Sequence, residues 1–169
     1  MAIDTRTLHG VDDLLAKLKA LPPELVSKRG GPVAAGLRKG ARVILKEAQR
    51  NILAVTRDSA ASGYVPTKVL HDALSIRRDP RPQRSGANEK MQVFVRRNRK
   101  YEGRLNTRGK PLTAIMTARW LEFGTEDQRA EPWMLPAFMA SRERALTTVV
   151  REIEAGANRI IKKMQKASR

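Results

Sequence analysis

Two long stretches of the chain repeat apolar residues at helical spacing, and each has one face that must be buried. From Pro32 onward, Leu37, Ala41, Ile44, Leu45, Ala48, Ile52 and Val55 recur every three or four positions, a row of about five turns. Gly36 and Gly40 lie four apart on it; they lower helix propensity but permit a close neighbour. The second stretch is expected to be helical from Pro136 to the end of the chain. Its stripe is Phe138, Leu146, Val149, Val150, Ile153, Ala157, Ile160, Ile161 and Met164. Its last turns, "RIIKKMQKASR", are cationic, which complements the helix dipole, with a frayed tail at about residues 165–169.

The segments around these helices are shorter. "VDDLLAKLKAL", with Val11, Leu14, Leu15, Leu18 and Leu21 in phase, predicts a short N-terminal helix that Pro22 and Pro23 stop. "TRDSAASGYVPTK" (56–68) has loop composition. "VLHDALSI" predicts one helical turn running into a strand. "KMQVFVRR" alternates, placing Met91, Val93 and Val95 on one face of a second strand. The Pro- and Arg-rich "RRDPRPQRSGANE" between them suits a long hairpin connection. Basic loops are expected over about 77–90 and 96–112, the latter, "NRKYEGRLNTRGKP", ordering against a partner. "LTAIMTARWLEFG" is apolar without a decisive period. The expected fold class is α+β. Two longer helices and a short N-terminal helix pack on a small, mostly antiparallel sheet with a long basic hairpin. Residues 1–169 are expected to form one domain, and the sequence holds no internal repeat.

Charge and cysteine content narrow the function. Thirty-four Lys and Arg against seventeen Asp and Glu give a net +17, a field that attracts polyanions or acidic protein surfaces. Between Arg77 and Lys110, twelve cations face only Asp79, Glu89 and Glu102, so this fifth of the chain carries +9 of that total. Candidate contacts to DNA or to a partner are Arg77, Arg78, Arg96, Arg97, Arg99, Lys100, Arg104, Arg108 and Lys110. With only Phe94 and Tyr101 among them, base stacking is weakly supported, so contact with DNA would be nonspecific and salt-sensitive. The absence of cysteine removes disulfides, thiol catalysis and thiolate metal sites. The opening "MAIDTRTLHGVDD" lacks the cationic start and apolar run of a signal peptide. The longest uncharged apolar runs are about ten residues, half of a membrane span. The expectation is a soluble protein made and used without export, with no membrane partner.

No catalytic constellation stands out. His9 and His71 lie in different segments, and a relay through His71, Asp72 and Ser75 is unsupported, because neighbours on a helix point apart. "GRLNTRGKP" has five residues where a phosphate-binding loop needs four, and Pro111 replaces its hydroxyl residue. Glu122, Glu126, Asp127 and Glu131 form one close carboxylate group, which leaves a paired-acid hydrolase as a minor alternative. No cofactor and no metal is expected.

Four of the five Trp and Phe residues fall between Trp120 and Phe138, in "WLEFGT" and "EPWMLPAF". With Gly124 for a turn, Pro132 to keep Glu131 extended and Pro136 in a first helical turn, they suit a rigid elbow. Trp120, Phe123, Trp133 and Phe138 would pin the last helix to the sheet.

The order of parts resembles the tail-component family of long-tailed phages named for gene product ten of phage HK-ninety-seven, akin to the tail completion proteins of lambda-like phages. The resemblance rests on "GVDDLLAKLKAL" (Gly10 to Leu21), "GARVILKEAQRNI" (Gly40 to Ile52), "TKVLHDALSI" (Thr67 to Ile76), "LEFGT" (Leu121 to Thr125) and "PWMLPAF" (Pro132 to Phe138). Departures are Lys68 where glycine is usual, Leu135 where arginine is usual, and a longer basic insert. The motif residues are Trp120, Glu122, Phe123, Gly124, Thr125, Pro132, Trp133 and Pro136.

The resemblance implies a non-enzymatic virion protein, made in the host cytoplasm and built into the neck between head and tail. It would form a homo-oligomeric ring, commonly a hexamer, that touches neighbouring neck, adaptor, tail terminator or tail tube proteins and genomic DNA. A nonspecific DNA-binding protein of another kind is the alternative.

Overall fold

The structure is a computed structural model that describes residues 31–58, 68–86, 89–106 and 108–167. The helix expected over Val11–Leu21 and most of the loop expected at 56–68 lie outside the described residues. The fold is α+β: helices with two small antiparallel sheets of two strands each.

Helix α1 (Pro32–Asp58) begins with proline at its first position, where a missing N–H costs nothing. Its predicted row is the inward one: Ala41, Ala48 and Ile52 are buried, and Leu37, Ile44, Leu45 and Val55 are half-buried. Helix α2 (Val69–Ala73) is a single turn, and Leu74 leaves it at ψ 139°, starting strand β1 (Leu74–Arg78) at once. A connection through a 3-10 turn at Pro82–Ser85 leads to β2 (Met91–Val95). The register pairs Leu74 with Val95 and Ile76 with Val93. One face of this hairpin is therefore apolar, as the alternation predicts, and Leu74, Val93 and Val95 join the core under α1.

The stretch expected to be a loop at 96–112 is instead a second hairpin, β3 (Lys100–Leu105) and β4 (Pro111–Thr113). Asn106 closes it. Its side-chain oxygen accepts from the N–H of Arg108 at 3.0 Å and of Lys110 at 2.9 Å, while its own N–H donates to the Lys110 carbonyl at 2.7 Å. This side-chain turn, with Gly109 at φ 67°, gives the polar segment local hydrogen bonds of its own. Tyr101 anchors the hairpin: it is buried, and its hydroxyl meets Thr117 Oγ1 at 2.9 Å. The expected single sheet is thus two separate ones, because Arg96–Arg99 turns the chain away before β3 begins.

The ambiguous apolar stretch becomes helix α3 (Ala114–Phe123), with Ala114 and Ala118 buried. Helix α4 (Met134–Ala167) starts two residues before the expected Pro136 and extends to Ala167; the last two residues of the tail expected at about 165–169 lie outside the described residues. It runs antiparallel along α1, with a second correction to its predicted stripe. Ile153 of that stripe is buried and Leu146, Val149, Val150, Ala157 and Ile160 are half-buried, but Phe138 and Ile161 are exposed, and the inward face also carries Ala137, Ser141 and Ala145.

Small residues explain that choice. A Cβ on Gly40 would overlap the Val149 side chain and lie 3.0 Å from the Ala145 carbonyl oxygen; one on Gly36 would lie 2.8 Å from Ile153 Cγ1. The two backbones approach closely because rows at spacing four on both helices interlock. Lys39 with Glu152 at 2.6 Å, and Glu47 with Arg144 at 3.1 Å, flank the seam.

Candidate interface: the capped elbow and the basic hairpins

Helix α3 ends where Gly124 takes φ 74° and ψ −178°, a conformation closed to residues with a Cβ. A Cβ there would also lie 2.8 Å from the Gln128 carbonyl oxygen and 2.9 Å from the Ala130 nitrogen. The chain then folds back. Thr125 N–H donates to the Gln128 carbonyl at 2.9 Å, and Glu131 N–H to the Leu121 carbonyl at 2.7 Å.

Glu122 completes the lock. One carboxylate oxygen accepts from the backbone N–H of Trp133 at 2.9 Å and of Met134 at 2.8 Å, the other from Leu135 at 3.1 Å. These N–H groups open α4 and have no partner within the helix, so an anion there satisfies them and complements the dipole. The Trp133 indole N–H donates to the Ala118 carbonyl at 3.1 Å, and the Trp133 carbonyl accepts from the Asn51 amide at 3.1 Å. Trp133 is 3% exposed and sits in the core with Ala118 and Ala137.

The four grouped aromatics therefore do different work. Trp133 pins the elbow and Trp120 is half-buried, whereas Phe123 is 77% and Phe138 46% exposed. The expectation that all four pin α4 to the sheet is corrected. Trp133 alone reaches deep into the core, and the long partner of α4 is α1. Thr125, Pro132 and Pro136 are exposed on the rim of the turn. Of the carboxylate group, Glu122 is taken up by capping, and Glu126, Asp127 and Glu131 face solvent. No three His, Asp or Glu side chains among the described residues are placed to hold a metal ion.

The basic residues divide between the two hairpins. Arg78 grips Glu89 through two hydrogen bonds, at 2.6 and 2.5 Å, which hold its guanidinium above the usual arginine pKa. Arg77 lies over the Phe94 ring at 4.6 Å and donates to Gln92 at 3.0 Å, and Arg96 donates to Ser75 at 3.2 Å. These three brace the β1–β2 hairpin. Arg97, Arg99, Lys100, Arg104, Arg108 and Lys110 are exposed, on or beside the β3–β4 hairpin. Arg99, Lys100 and Arg104 join Lys68 around a recess of about 410 Å³ between α2 and β3. Asp72 and Glu102 oppose them there, and the excess of cations suits an anionic group on a partner.

Reading the sequence missed the cap by Glu122 and the side-chain turn at Asn106. The first spans 11 to 13 residues and leaves no local pattern. The second had a signal, Asn106 three residues before Gly109, outweighed by the surrounding charge. Among the described residues no helix is long and apolar enough to cross a membrane. No protein-family model, no curated protein and no solved structure matches this chain.

Proposed function

We propose that the chain is a structural subunit of a tailed-phage neck, assembling into a ring that helps complete the tail and join it to the filled head. The observation that carries the reading is the Glu122 lock. "EFGT" and "PWMLPA" stand seven residues apart in sequence, and the carboxylate of the first holds the opening N–H groups of the second. The two halves of the resemblance thus form one physical device that needs both. A rigid two-helix body with cationic hairpins at its surface also suits a part built to be clasped by neighbours: neck, adaptor, terminator or tube proteins, or DNA in the lumen.

Removing the gene from the phage that carries it should leave filled heads and finished tails unjoined, and purified chain should restore joining. Normal particles without the gene, or particles with no density for the chain between head and tail, would overturn the reading. A second reading, nonspecific duplex binding, draws on the exposed Arg97, Arg99, Arg108 and Lys110. It requires retardation of any duplex with a log–log salt slope of about −4, if four phosphates are neutralised.

A further inference from the structure

Helix α3 separates two exposed surfaces of opposite character. At its C-terminal end, Phe123, Leu135, Phe138 and Met139 are all open to solvent, and the last three share one face of α4 by their spacing. Trp133, Ala137 and Ser141 occupy the buried side of the same turns. The segment between α3 and α4, which leads into this apolar face, carries the exposed Glu126, Asp127 and Glu131 with Arg129, and Arg142 reaches Met139 Sδ at 3.9 Å. Residues 122–131 hold four of the seventeen acids of a chain whose net charge is +17. At the N-terminal end of α3, residues 96–110 carry seven cations against Glu102 alone. The tip of that hairpin presents Leu105, 65% exposed, followed by the exposed Arg108 and Lys110.

We infer that these surfaces dock on each other between copies: the β3–β4 tip of one chain seats Leu105 on the Phe123, Leu135, Phe138 and Met139 face of the next. Arg108 and Lys110 then meet Glu126, Asp127 and Glu131. The occupant is a second copy of this chain because the charges match. Two bodies of +17 repel each other, so contact requires a place where acids locally outnumber bases and a basic counterpart to meet it. The two patches differ: one is the β3–β4 tip that leads into the start of α3, the other is formed by the last residue of α3 and the opening turns of α4. A contact between unlike patches propagates head to tail and closes into a ring when the rotation allows. This inference rests on the ring reading above and names its interface.

The chain contains no cysteine, so introduced thiols report cleanly. Purified full chains carrying Leu105→Cys and Leu135→Cys, mixed and oxidised, should form a covalent dimer that neither forms alone. A chain with both substitutions should give a ladder. Adding Arg108→Glu and Lys110→Glu to the Leu105→Cys chain should cut the mixed dimer about tenfold. Adding Glu126→Lys and Asp127→Lys to its partner should restore it.

Equal dimer yields from either single variant alone would overturn the docking. So would a Leu135→Cys thiol that stays unreactive to a maleimide in dilute solution, since that face would then lie under other residues of the same chain. If the ladder fails while the unsubstituted chain sediments as a ring, the interface is wrong and the ring reading stands. If the ladder forms but particles lacking the gene are normal, the neck reading fails alone.

Discussion

The Glu122 cap makes a quantitative prediction. Glu122→Ala deletes all three acceptor contacts to the start of α4. Losing an N-terminal cap costs about 1–2 kcal/mol. Removing a negative charge from that end of the dipole adds about 0.5 kcal/mol. The Trp133 N–H, on a residue 3% exposed, is then poorly placed to find water, at a further cost of about 1 kcal/mol. The total, about 3 kcal/mol, is a large share of the roughly 5–15 kcal/mol that holds a typical domain. For a chain of 169 residues it corresponds to a drop in Tm of about 6–12 °C. Glu122→Gln keeps one oxygen for the Trp133 and Met134 contacts and turns an NH₂ toward Leu135, so it should lose about half as much. Thermal unfolding followed by circular dichroism gives the order, and tryptophan emission reports whether Trp133 becomes wetted. A Glu122→Ala chain melting within about 1 °C of the original, or a Gln variant worse than the Ala variant, would refute the account.

Three further outcomes follow from the geometry. Gly124→Ala should lower stability by about 3 kcal/mol, from left-handed strain plus the backbone atoms its Cβ would strike, read as a shift in urea midpoint. Gly103→Ala, at φ 66° in open space, should cost about 1 kcal/mol and serves as the control. Gly40→Ala should destabilise by about 1–2 kcal/mol even though alanine favours helix, because its Cβ meets Val149 and the Ala145 carbonyl; a stabilised variant would disprove the close seam. Hydrogen bonding to Lys39 holds the Glu152 carboxyl below the usual carboxylate range. That contribution is therefore complete above an unfolded-state pKa of about 4.3 and fades as pH falls through the lower folded value. Lys39→Met should flatten the acid limb of the melting profile in that window and leave its shape near neutrality unchanged.

What the sequence revealed depended on the range of the interaction. Alternation at Met91, Val93 and Val95 was enough to place β2 against β1, because a strand half-buried on one face writes that burial into every second residue. The inward row of α1 was legible for the same reason. On α4 the apolar stripe misplaces Phe138, which is exposed. Closely packed helices select small residues, so the buried face runs through Ala137, Ser141 and Ala145, while the larger Phe138 lies one position round. Ser141 looks polar in sequence, yet its hydroxyl is spent on the Ala137 carbonyl at 2.6 Å. The elbow could be anticipated as a turn from Gly124 and the prolines, but its lock could not, since a carboxylate reaching 11 residues forward obeys no period. Charge misled at 96–112, where Tyr101 and Asn106 outweigh the basic residues around them.

Where the hydrogen bonds concentrate also bears on how a ring could keep a constant geometry. Closure requires the same rotation from each copy to the next, which demands that the two proposed docking surfaces of one chain be rigidly related. Both are tied to α3 itself. At its start, Ala114 N–H donates to the Arg99 carbonyl at 2.9 Å and Tyr101 meets Thr117, which fixes the hairpin. Along its last turns, Gly124 N–H donates to Trp120, the Trp133 indole N–H to Ala118, and Glu122 accepts from α4, which fixes the elbow. Ten helical residues thus act as a spacer with a clamp at each end. In the proposed ring, loosening either clamp should alter the assembly before it unfolds the subunit, so Tyr101→Phe and Glu122→Gln are the variants in which irregular or open assemblies of folded chains should first appear by electron microscopy.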